Sequence, residues 1–104
     1  MKIKTNTTLK GVDGLETLKG EKGRPLTIRD IIVNSVLTPI QEDDDRKKFE
    51  KWEIFKKVRD AGEDDEVTLT IEEVGVIKKA TGKIQPPLIM GQVWEALENG
   101  GKDK

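Results

Sequence analysis

Two copies of one short pattern, Leu26-Thr27-Ile28-Arg29-Asp30 and Leu69-Thr70-Ile71-Glu72-Glu73, constrain what this chain can fold into. Around the second copy, Val67 and Leu69 alternate with polar residues. The apolar period then lengthens to Ile71, Val74 and Ile77. A short strand therefore feeds directly into a helix. Thr70 stands at the helix cap, and Glu73 three residues later can reach back to it, which is a capping box. Thr27 and Asp30 repeat the device. The two junctions predict paired short strands near Leu26 and Leu69, each launching a helix.

Four helices follow from the periodicity. The first runs from Ile28 through Ile31, Ile32 and Val36, and Pro39 ends it near Leu37 or Thr38. The second spans about 44–60, where Phe49, Trp52, Phe55 and Val58 recur at spacing three and read as the bulky part of the core. An exposed aromatic stripe that binds a partner is the alternative, because Trp is frequent at binding hot spots. The third helix extends from Ile71 to about Ala80 and stops at Gly82. Gly75 inside it costs roughly 1 kcal/mol against Ala, a cost that close helix contact would explain. Pro87 can open the fourth helix. Leu88, Ile89, Met90, Val93, Trp94 and Leu97 form its apolar face, with a stop at Asn99-Gly100-Gly101, and Trp94 is expected to pack on the second helix.

The fold class is thus mainly α (α+β), with about four helices and a short two-stranded antiparallel ribbon. Residues 1–23 read as an N-terminal strand or partly ordered arm, 24–99 as a compact helical domain, and 100–104 as a frayed tail. Glycines at 11, 14 and 20 break the Leu9, Val12, Leu15, Leu18 spacing. The Gly11-x-x-Gly14 fragment lacks the Gly-Lys-Ser/Thr ending of a phosphate loop and is a turn signal.

Chemistry is sparse. The chain has no cysteine and no histidine. Thiolate metal sites, disulfides and the usual triads are excluded, and the ordinary neutral-pH general base is missing. Asp30 and Glu73 serve as caps, and no carboxylate pair has catalytic spacing. The reading is a noncatalytic protein with no cofactor. Asp43, Asp44 and Asp45, and the similar turn at 62–66, invite a calcium reading, but the alternating ligands, central glycine and twelfth-position Glu of an EF-hand are absent. Both are expected to be solvated turns placing negative charge at helix or strand starts. No apolar run is long enough for a membrane span or a signal peptide, so cytoplasm is the expected location.

Net charge is −1, unevenly placed. Residues 1–24 carry six basic and three acidic side chains, and residues 42–66 carry eleven acidic and seven basic. This asymmetry can steer a partner. A basic arm alone makes a weak nucleic-acid-binding module the third reading, behind protein binding and a particle-assembly or structural role. Candidate partner-binding residues are Asp43, Asp44, Asp45, Trp52 and Trp94. Self-association through Phe49, Trp52 and Phe55, or through Trp94, would make a homodimer.

Pro25-Leu26-Thr27, Leu69 to Glu73, Ile77-Lys78, Thr81-Gly82-Lys83, Pro86-Pro87-Leu88 and Gly91-Gln92-Val93-Trp94-Glu95 together resemble small uncharacterised proteins of tailed bacteriophages and prophages. The likeness covers about 24–98 and is most specific from Pro86 to Trp94. It implies a phage protein active in the host cytoplasm, with a host or phage protein as partner. Host takeover, regulation or particle assembly is the implied role.

Overall fold

The computed structural model describes residues 2–20, 23–61 and 66–102. Its elements are β1 (Lys2–Lys4), α1 (Ile28–Leu37), α2 (Asp45–Ala61), β2 (Glu66–Thr68), α3 (Ile71–Ile84) and α4 (Pro87–Lys102). The fold is mainly α with one two-stranded antiparallel ribbon.

Both capping boxes are formed. Thr27 Oγ1 accepts from Asp30 N at 3.2 Å, and Asp30 Oδ2 accepts from Thr27 N at 3.1 Å. At the second box the equivalent distances are 3.1 Å and 2.9 Å. The helices that leave them enter one core, in which Ile28, Ile32, Val36, Val74, Ile77, Val93 and Leu97 are buried.

The ribbon is not the one expected. β2 pairs with β1, in the register Lys2–Thr68, Ile3–Val67 and Lys4–Glu66. Leu26 is unavailable to Leu69 because its backbone is committed within the N-terminal segment. Leu9 N donates to Leu26 O at 2.8 Å, Leu26 N to Leu18 O at 2.9 Å, and Leu18 N to Leu9 O at 2.9 Å. Three short extended stretches thereby close a triangle of backbone bonds. Two of its corners share one local sequence, Thr8-Leu9-Lys10-Gly11 and Thr17-Leu18-Lys19-Gly20. Each is followed three residues later by a glycine in the left-handed region, Gly14 at φ 74° and Gly23 at φ 72°, which a side chain would strain. Ile3 and Leu9 are fully buried, so this segment belongs to the same core as the helices.

Three helix expectations also need correction. α3 runs past Gly82 to Ile84, because buried Thr81 bonds back to Ile77 O at 2.9 Å and the chain turns only at Gln85, before Pro86. Gly82 gives room to Trp94, whose ring edge lies 3.5 Å from where a Cβ would stand. Gly75 has nothing within 4 Å of that position, so no close helix contact explains it. α4 continues through Gly100 and Gly101 to Lys102. Residues 103–104 of the expected frayed tail, and Gly62 to Asp65 of the second acidic turn, lie outside the described residues.

Candidate interaction surface

α2 lies against α1 and β2. It inserts Ile54 and Val58 into the core and buries Lys51 beside them. The expected aromatic core helix is therefore turned over. A step of three residues in an α-helix falls about 60° short of a full turn. Phe49, Trp52, Phe55 and Val58 consequently spiral half-way round, and Phe49 ends up opposite Val58. Phe49 is 62% exposed and Trp52 43% exposed, while Phe55 is half-buried. The Trp52 and Phe55 rings lie 5.3 Å apart, tilted by 36°, and the Arg59 guanidinium covers the Phe55 ring at 5.4 Å.

The three aspartates before α2 are separated in role. Asp43 meets Lys51 Nζ at 2.5 Å, with side-chain exposures of 4% and 5%. Asp44 caps α2, its Oδ1 accepting from Lys47 N at 2.8 Å. Asp45 occupies the first turn, where the helix dipole favours a carboxylate. Only Asp44 and Asp45 remain on the exposed surface.

Trp94 packs on α3, not on α2. Its Nε1 donates to Thr81 Oγ1 at 2.9 Å and to Lys78 O at 3.2 Å, and Lys78 Nζ lies 5.4 Å from the ring centroid. With its polar atom satisfied and one face covered, Trp94 offers a partner less than Trp52 does. The predicted site residues thus fall into two places, Asp44, Asp45 and Trp52 on α2 and Trp94 on the α3–α4 seam.

Glu73 is the one interior-leaning carboxylate that bridges elements. Its Oε1 accepts from Thr70 N and from Lys57 Nζ at 2.8 Å. Partial burial alone would raise its pKa. The Lys57 ammonium and the Thr70 N–H outweigh that and hold it below the usual carboxylate range.

A cleft of about 620 Å³ runs between the N-terminal segment and α4, lined by Lys2, Lys4, Lys10, Gln92, Glu95 and Asn99 among others. Its polar groups are largely committed to the fold. Gln92 Oε1 accepts from Lys10 N, and Gln92 Nε2 donates to Lys10 O, both at 2.7 Å. Lys10 Nζ donates to Thr17 Oγ1 at 3.0 Å. Glu95 adds a carboxylate that opposes a phosphate ligand.

Among the described residues, every buried side-chain polar atom has a hydrogen-bond partner. No group of three or more acidic side chains there could hold a metal ion, and no helix is long and apolar enough to cross a membrane. The outward α2 face was the weaker of two readings of the aromatic spacing. The signal that identifies it is the alternation of four and three residues along Asp45, Phe49, Trp52, Lys56 and Arg59, which keeps to one side of a helix. No protein family, curated protein or solved structure matches this chain.

Proposed function

We propose that this chain is a noncatalytic accessory or regulatory protein that acts by binding another protein through the outer face of α2. The observation that carries the reading is the outward pair Phe49 and Trp52 on a helix whose opposite side holds Ile54 and Val58 in the core. Two large aromatics one turn apart, left in water, cost solubility and gain value only when covered. The surrounding Lys48, Lys56 and Arg59 form a charged rim around an apolar centre, the arrangement of a reversible interface. The phage resemblance gives the setting, a host or phage protein as partner or a second copy of this chain, in the host cytoplasm.

The test is capture of a stoichiometric protein partner by the whole chain. Phe49→Ala combined with Trp52→Ala should abolish capture while leaving thermal stability within about 0.5 kcal/mol for each surface change. Val12→Ser, at a 93% exposed apolar residue elsewhere, should leave capture intact. Undiminished capture by the double alanine variant would move the docking site off α2.

A further inference from the structure

The outer face of α2 is complementary to itself. Asp45, Phe49, Trp52, Lys56 and Arg59 follow one another at intervals of four, three, four and three, the spacing of a coiled-coil seam. Asp45, Phe49, Trp52 and Arg59 are exposed and Lys56 is half-buried, so the whole seam is open to an approaching helix. Laid against a second copy in the opposite direction, with the twofold axis between Phe49 and Trp52, this seam pairs unlike with unlike. Phe49 meets Trp52 of the second copy, and Asp45 meets its Lys56. On the flank, Arg46 comes opposite Glu53. Twofold symmetry makes every one of these pairs twice.

A parallel arrangement does the reverse. It stacks Asp45 on Asp45, Lys56 on Lys56 and Arg59 on Arg59, so each charged layer repels. Existing ion pairs do not block the antiparallel one. Lys56 reaches Glu53 at 3.5 Å with both side chains well exposed, a contact easily exchanged for an intermolecular one. Among the described residues, no ion pair holds Asp45 or Arg46.

We infer that the partner of the α2 face is a second copy of this chain, docked antiparallel so that Phe49 stacks on Trp52 and Asp45 pairs with Lys56 across a twofold axis. The inference rests on the reading of that face as a docking surface and names its occupant. A seam from Asp45 to Arg59 is about 21 Å long, and one helix pair of that length lies at the small end of specific interfaces, below ~1,200 Å². The dimer is therefore reversible and concentration-dependent.

Sedimentation of the full chain over about two decades of concentration should show a monomer–dimer equilibrium. Asp45→Lys alone places lysine against Lys56, and Lys56→Glu alone places glutamate against Asp45. Each should weaken self-association at least ~10-fold. An equimolar mixture of the two variants restores both opposite-charge contacts and should dimerise as the unmodified chain does. Far-UV circular dichroism of each variant establishes that it is folded. A strictly monomeric unmodified chain overturns the inference, and so does a mixture that stays monomeric while the unmodified chain dimerises. If the chain is monomeric yet captures a foreign protein in a Trp52-dependent manner, the docking face stands and only its occupant is wrong. If capture is also indifferent to Trp52, the docking face falls with it.

Discussion

Glu73 does two jobs with one carboxylate. It closes the capping box on Thr70 and takes the Lys57 ammonium from α2, so it ties the start of one helix to the flank of another. Asp30, its counterpart in the first box, closes only the cap. Because the fold lowers the Glu73 pKa, the unfolded chain binds the proton more tightly than the folded one. Its contribution to stability is present above the unfolded pKa, near 4.3, and disappears as pH falls through the lower folded value. Urea midpoints measured across the acid range should therefore fall less steeply for Glu73→Gln than for the unmodified chain, since Gln retains a cap acceptor but has nothing to titrate. Equal slopes would remove Glu73 from the acid response. Both caps were legible in the sequence because the atoms that make them lie within four residues of each other. What the second carboxylate also reaches, sixteen residues back on α2, had no local signature.

At the level of the element, α2 shows where periodic reading loses accuracy. A spacing of three sustained over ten residues was read as one face, yet it wraps half a helical circumference, and burial follows the 3.6-residue turn. Lys51 sits on the buried side through its pairing with Asp43, a contact invisible to any hydrophobic pattern. The pair's burial makes its two halves interdependent. Lys51→Ala strands the Asp43 carboxylate away from water and should cost about 3–5 kcal/mol in urea unfolding. Lys51→Met together with Asp43→Leu removes both charges and should recover most of that loss, because a buried ion pair contributes little beyond what apolar packing of similar volume supplies. A double variant as unstable as the single one would show that the pair contributes more than the desolvation it has to overcome. α3 illustrates the opposite error. Gly82 was read as a stop, but Thr81 carries the hydrogen bonds that keep the helix going, and the glycine instead admits Trp94.

At the scale of the whole molecule, closure is made by the segment least readable from its own residues. Ile3, flanked by lysines, gives no helical or strand run of its own, yet it is fully buried and pairs with Val67. Leu9 joins the same core, and the Gln92 amide grips the Lys10 backbone from α4, 82 residues away. Such pairings depend on which edges remain free once the local bonds of Leu9, Leu18 and Leu26 are made, and no single stretch encodes that outcome. If the first ten residues were only an arm laid over a finished domain, trimming Ile3 would disturb that arm and leave the helices alone. Because Ile3 lies in the common core, Ile3→Ala should instead destabilise the entire chain by about 2–5 kcal/mol, the cost of a large-to-small change in a packed interior. The loss should appear as one cooperative shift, with the helical circular dichroism signal and Trp fluorescence moving together in urea. A variant in which β1 detaches while the helical transition stays put would make the N-terminal segment an appendage and the helices the independent domain.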